Sequence, residues 1–252
     1  VKKAVTGCDM VFHMASNPDI SKGMTETDLD LKQGVLTLYN VLESMRLASV
    51  KRIFFPSGSG LYGDVGTTPT NECFGPLLPI SLYGASKLAC EGLISAFCNM
   101  FDMQAWIARL ANVVGARQTH GVVLDFVRKL RQNPNELEIL GDGTQSKSYL
   151  HVSDCVEAVI FIINHSAARV NVFNAASDDY LDVTTVAKIV AEEMGLKNVR
   201  LLYTGGDRGW KGDVPKVRMG TWKIKELGWK CRLTSVEAVR RAARELLEFG
   251  HL

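Results

Sequence analysis

The sequence predicts an α/β protein built on a doubly wound parallel sheet, with a smaller α/β lobe toward the C-terminus. Three observations carry that prediction. Short apolar runs at residues 8–15, 51–57 and 103–110 alternate with helical patterns at 27–48 and 82–100, the runs deliver loops rich in small and polar residues, and the texture changes after Gly115. Runs that are apolar throughout are buried on both faces. Strands alternating with helices at this spacing form right-handed β-α-β units, whose ligands sit at the carboxyl ends of the strands.

The elements follow in order. Cys8-Asp9-Met10-Val11-Phe12-His13-Met14-Ala15 reads as a buried strand arriving at a loop. A polar stretch with Pro18 precedes a helix over 27–48, with Leu29, Val35, Leu38, Leu42 and Met45 roughly on one face. Lys51 to Ser57 is a second buried strand, ending in Ser57-Gly58-Ser59-Gly60. A loop rich in Gly, Pro and Thr covers 63–80, a helix runs from Leu82 to Met100, and Met103 to Leu110 makes a third strand. Beyond Gly115 the pattern gives a helix at Val122 to Arg131, a loop at Gly141-Asp142-Gly143 and a helix from Asp154 to Asn164. Short strands and helices lead to a last helix from Thr234 to Phe249, whose Thr234-Ser235-Val236-Glu237 opening has capping-box spacing. Residues 1–115 are therefore expected to carry the main sheet, and 116–252 mainly a second lobe with some segments returning to that sheet.

Composition narrows the function classes. With 46% hydrophobic residues the chain can bury a sizeable core. Lys and Arg number 29 against 27 Asp and Glu, so no basic field points to nucleic acid or an anionic membrane surface. No stretch approaches the length of apolar sequence that spans a bilayer. Cys8, Cys73, Cys90, Cys98, Cys155 and Cys231 form no Cys-x-x-Cys, which argues against a zinc site or disulfide framework and leads us to expect a reducing, cytoplasmic setting. His120, His165 and His251 have no partners at metal-ligand spacing and read as surface or helix-end residues, so no metal is expected.

The candidate chemistry lies at one helix start. Tyr83-Gly84-Ala85-Ser86-Lys87 puts a phenol and an ammonium four residues apart on one face. A cation about 4 Å away at an effective dielectric near 20 contributes on the order of 4 kcal/mol, enough in principle to lower a tyrosine pKa by two or three units. Such a phenolate takes a proton from a sugar hydroxyl near neutral pH. The spacing alone recurs by chance, and Tyr83 as a half-buried helix residue is the plain alternative. Position adds weight, because Ser57 or Ser59 ends the preceding strand and offers a hydroxyl to the same substrate oxygen.

Several motifs in one order then resemble a known family. Residues 7–15, Ser57 through Leu61-Tyr62-Gly63-Asp64, Tyr83-x-x-x-Lys87, Arg109-Leu110-Ala111-Asn112-Val113-Val114-Gly115, Gly141 to Asp154, Gly212-Asp213-Val214-Pro215 and Leu227-Gly228-Trp229 are similar to the extended short-chain dehydrogenase/reductases, essentially end to end. The resemblance implies a Rossmann-type domain holding NAD and a C-terminal lobe holding a nucleotide-diphosphate sugar. It implies Tyr83 as general base and Lys87 as the residue that holds the nicotinamide ribose and lowers the tyrosine pKa. Asn112 would contact the diphosphate, and His13, Ala15, Ser16, Ser57 and Leu110 would line the cofactor. The implied reaction is 4-epimerisation through a transient 4-keto sugar by a homodimer, whose helices near 27–48 and 82–101 pack across a two-fold axis. A net dehydrogenase or reductase of the family is one alternative, and a non-catalytic fragment or binding module is another.

The sequence also departs from the family pattern. The glycine-rich turn and the acidic residue that reads the adenosine ribose are not among these residues, so the Rossmann-type domain is expected to be truncated at its N-terminus, with roughly 55 to 65 residues, carrying about three strands, absent. The polypeptide as given is expected to bind NAD poorly or not at all. Gly58 stands where the family places a catalytic Ser or Thr, which leaves Ser57 or Ser59 to substitute. Ser59 and Gly60 stand where dehydratases carry an Asp-Glu pair, which counts against dehydration. Lys147 replaces a phosphate-binding Arg, keeping the charge and losing the bidentate fork. Trp210 replaces another, with Arg208 and Lys211 nearby either as phosphate ligands or as a solvated loop pair.

Overall fold

The computed structural model describes residues 1–249. Its first half runs α1 (Lys2–Val5), β1 (Val11–Phe12), α2 (Thr37–Leu47), β2 (Arg52–Gly58), α3 (Leu82–Phe101), β3 (Gln104–Leu110), β4 (Asn112–Val114) and α4 (Val122–Gln132). The second half runs β5 (Glu136–Ile139), β6 (Ser146–Lys147), β7 (Tyr149–His151), α5 (Val152–His165), β8 (Val170–Ala175), β9 (Leu181–Asp182), α6 (Val183–Glu193), β10 (Arg200–Tyr203), α7 (Trp222–Glu226) and α8 (Ser235–Glu248).

Strands β1, β2, β3 and β8 form one parallel sheet in that order, with Ser57 opposite Arg109 and Leu110 opposite Ala175. Side chains alternate across it, as the pleat requires. Ile53, Phe55, Ala105 and Ile107 pack against Leu38, Leu42 and Met45 of α2 and Ile94 and Cys98 of α3. Phe54, Trp106, Ala108 and Phe173 face Ala158 and Ile162 of α5 and Ile224 of α7. Burial of each large apolar side chain contributes about 1.5–3 kcal/mol, so both faces hold the sheet and its register.

A second core unites α4, α6 and α8 with short parallel pairs β4–β7 and β5–β10. Phe126, Val127, Leu137, Ile139, Tyr149, Val190, Ala242 and Leu246 meet there. Helix α8 opens with the expected capping box between Thr234 and Glu237.

Three expectations need correction. Of residues 8–15 only Val11–Phe12 pair as strand, and Phe12 is 52% exposed, because β1 has a neighbour on one side only within the described sheet. The helix expected over 27–48 enters through a π-helical turn at Leu31–Leu36, where Gly34 lies so close to α3 that a Cβ would come within 3.3 Å of Ser86 Oγ. Asp154 does not start α5. His151 caps that helix, and the buried Asp154 carboxylate instead accepts from the backbone N–H groups of Arg232 and Leu233 at 3.1 and 3.0 Å.

Candidate active site

The site begins with the first turn of α3. Ser81 Oγ accepts from Gly84 N at 3.1 Å and fixes the helix start. Gly84 has no side chain for a steric reason: a Cβ there would stand 2.6 Å from Gly60 O and 3.0 Å from Pro79 Cβ. The helix therefore lies directly against the loop that ends β2. Tyr83 and Lys87, one turn apart, line a cleft of about 960 Å3 together with Ser57, Ser59, Leu110, Asn112 and Lys147. It lies between the carboxyl ends of β2 and β3 and the second lobe.

Lys87 is buried, its Nζ donating to Pro56 O at 2.9 Å and standing 4.8 Å from the Phe55 ring and 5.3 Å from the Tyr83 ring. Burial lowers its pKa to about 8, opposed by the nearby Cys90, Asp30 and Glu91. Tyr83 does not have the lowered pKa expected from its spacing to Lys87. Burial pushes it up to about 12, with the Asp30 carboxylate and Cys90 adding to the rise. Desolvation of the phenolate outweighs the attraction of an ammonium that is itself turned toward Pro56 O. Asp30 is buried, its Oδ1 accepting from Asn17 Nδ2 at 3.0 Å while Oδ2 has no partner.

Two further buried polar atoms beside Lys87 have no partner among the described residues, Ser57 Oγ and His13 Nε2. His13 lies nearly parallel to the Phe55 ring at 6.1 Å, and burial followed by the charge of Lys87 holds its pKa low. An unpartnered buried hydroxyl or imidazole nitrogen costs about 1–3 kcal/mol. Groups left so at a cleft are poised for a ligand.

Not every expected site residue lines the cleft. Ser16 does; Ala15 is exposed and His13 is buried behind it. Lys147 lines it but is tied to Asp213 Oδ1 at 2.5 Å. Arg208 and Lys211 are not part of the lining: Arg208 pairs with Asp207 and Asp64, and Lys211 is exposed. Sequence reasoning overlooked Asn17, Gln118 and Asp213 as cleft residues and gave Trp210 and His120 no place there. Asn17 and Gln118 lie in loops without periodicity, so nothing but a strand-end position marked them. Among the described residues no acidic, His or Cys cluster can hold a metal.

The residues present fit the nicotinamide-ribose half of a dinucleotide: a buried ammonium, an unpartnered Ser57 hydroxyl and the Tyr83 phenol meet at the ends of two parallel strands. In architecture the protein is of Rossmann type, a parallel sheet covered on both faces with a second lobe across its ligand end. The chain belongs to the NAD dependent epimerase/dehydratase family, whose profile matches residues 1–176. It is 30% identical to the UDP-glucose 4-epimerase of Mycolicibacterium smegmatis, over 92% of this chain and 74% of that one. A solved UDP-galactose 4-epimerase superposes with a TM-score of 0.87 at 36% identity, over 98% of this chain and 81% of its own. MoeE5, solved with UDP-glucuronic acid and NAD, gives 0.88 at 26% identity over 98% and 82%. The chain spans 60–75% of the length of the curated relatives it matches.

Proposed function

We propose that the protein is an NAD-dependent epimerase that inverts C4 of a nucleotide-diphosphate sugar through a transient 4-keto sugar. The observation that carries this reading is the convergence of Tyr83, Lys87 and the unpartnered Ser57 hydroxyl on one cleft. NAD, when bound, supplies the acceptor and donor of hydride and, oxidised, a positive charge. Ser57 donates a hydrogen bond to the sugar O4. Tyr83 is a phenol in the protein alone and takes the role of base only beside the positive charge of the oxidised dinucleotide. There, as phenolate, it removes the O4 proton and returns it after the keto sugar has turned its other face. Lys87, mostly protonated at pH 7, holds the ribose and stabilises the tyrosinate. Asn112 and Lys147, whose ammonium keeps donors beyond the one given to Asp213, hold the diphosphate so that the intermediate stays bound.

On this reading residues 1–115 form the NAD-binding domain and 116–252 mainly the substrate lobe. Leu36, Tyr39 and Leu47 on or beside α2 and Met100 on α3 are exposed apolar residues that support a homodimer joined through these helices, to be tested by sedimentation. The cysteines, none of them paired, support a reducing compartment, the cytoplasm, and a fluorescent fusion locates it. The reaction itself is tested by incubating NAD-loaded protein with UDP-glucose and following UDP-galactose by NMR. Interconversion without net NADH formation supports epimerisation, and stoichiometric NADH favours the dehydrogenase alternative. Neither a reaction nor binding of UDP-glucose favours a non-catalytic module.

A further inference from the structure

Trp210 has no task in the mechanism above, yet it forms part of the cleft wall. Its position is fixed from three sides. Asp213 N donates to Trp210 O at 3.0 Å and closes the turn. Asp213 Oδ2 accepts from Gly209 N at 3.2 Å, and Oδ1 accepts from Lys147 Nζ at 2.5 Å, which ties the turn to β6. Gly212 is the third constraint: a Cβ there would stand 2.9 Å from Trp210 Cη2 and 3.4 Å from Ser81 Cβ. The six-membered ring of the indole thus lies over Gly212, and Gly212 in turn lies against Ser81, the cap of the helix that carries Tyr83.

The indole lines the cleft, and an aromatic ring offers an electron-rich face to a bound group. The face is of little use to a phosphate, which seeks donors and positive charge, and it suits the C–H face of a pyranose. The neighbouring cation, Lys147, already has a carboxylate partner, so charge is scarce where stacking is available. Gly212 stands between the ring and Ser81, two residues from Tyr83, so the indole lies on the side of the cleft where α3 begins.

We propose that Trp210 is the platform on which the hexose ring packs, so that this chain separates nucleotide sugars from free nucleotides by an aromatic contact. This rests on the nucleotide-sugar reading and adds to it the group that recognises the sugar. A ring held by its own turn gives up little side-chain freedom on binding, which favours affinity.

Calorimetric titration of the protein and of Trp210→Ala and Trp210→Phe with UDP-glucose and with UDP tests it, with thermal melts to confirm that each variant folds. Trp210→Ala should weaken UDP-glucose about tenfold, or about 1.4 kcal/mol, and leave UDP within about twofold. Trp210→Phe should retain most of the affinity. Equal weakening for both ligands places the indole against base or diphosphate and overturns the proposal, as does unchanged affinity for both. Unaltered protein that binds UDP but not UDP-glucose also overturns it, whereas failure to bind either ligand rejects the nucleotide-sugar reading itself. Should Trp210→Ala fail to fold, Trp210→Leu, which fills the space without an aromatic face, takes its place with the same expected and overturning outcomes.

Discussion

Helix α3 carries two buried charged groups on consecutive turns, and they are treated in opposite ways. Lys87 faces the cleft, with one backbone acceptor, two rings and the unpartnered atoms of Ser57 and His13 around it. Glu91, one turn on, is fully engaged: it receives Arg109 Nε at 3.1 Å and Nη2 at 2.7 Å. Arg109 Nη1 in turn donates to Tyr62 Oη at 3.0 Å, and Tyr62 Oη donates to Asn174 Oδ1 at 2.7 Å. Both regions are buried and charged, and satisfaction separates them. The Arg109 network joins β3, α3 and β8 and is structural; the Lys87 cluster is incomplete within the protein, as the proposed function requires of a ligand site.

Breaking the incomplete region should destroy activity and spare the fold. In NAD-loaded enzyme, Tyr83→Phe should lower kcat by about 10³-fold or more, roughly 4 kcal/mol of transition-state stabilisation, with the melting temperature nearly unchanged. Single-turnover rates with UDP-glucose and a thermal melt of the same preparation check both halves. Loss of less than tenfold would remove Tyr83 from the role of base. Breaking the complete region should do the reverse. Glu91→Gln leaves the Arg109 charge buried without its counter-ion, at a cost of about 3–5 kcal/mol, or roughly 10 °C for a chain of this size. Activity per folded molecule should stay within about threefold.

This contrast explains how much the sequence disclosed. The strands at 52–58 and 104–110 and the helices at 82–101 and 122–132 were legible because burial on one stripe or on both faces imposes a period. Tyr83, Lys87 and the Ser57 loop were legible because spacing on a helix start and position at a strand end are local facts. What sequence could not supply was the sum of opposing long-range terms. The Tyr83 pKa rises because desolvation and Asp30, 53 positions away in sequence, outweigh Lys87. Likewise Arg109 was read only as part of a motif, since its partners come from α3, the loop after β2 and, through Asn174, from β8. The fourth strand at 170–175 was visible only as one short apolar run among several.

Lys87 sharpens the comparison, because its burial without a carboxylate partner should cost stability that the protein recovers at high pH. Its folded pKa, about 8, lies below the ordinary 10.5. Between those values the unfolded chain binds more protons, so stability rises with pH there and is lowest below pH 8. The penalty below pH 8 is about 3 kcal/mol, offset in part by the bond to Pro56 O. Lys87→Met should therefore be inactive yet more stable than the parent at pH 7, with the gain shrinking by about 2 kcal/mol by pH 10. Urea melts at the two pH values measure this, and a gain that grows with pH would show that Lys87 is better accommodated than its surroundings indicate.

The smallest effect separates two hydroxyls one residue apart on either side of Gly58. Both line the cleft, but Ser57 Oγ is buried without a partner whereas Ser59 is not among the buried residues. A hydroxyl already stripped of water gives nearly its whole hydrogen-bond energy to a developing charge, while a hydrated one exchanges one partner for another. Ser57→Ala should thus cost about tenfold to a hundredfold in kcat, or 1.4–2.7 kcal/mol. It should leave stability level or slightly raised, since the variant loses an unpartnered group. Ser59→Ala should change kcat less than about threefold. The opposite ranking would mean that the loop turns over when the sugar binds and that the hydroxyl beyond Gly58 is the one that reaches O4.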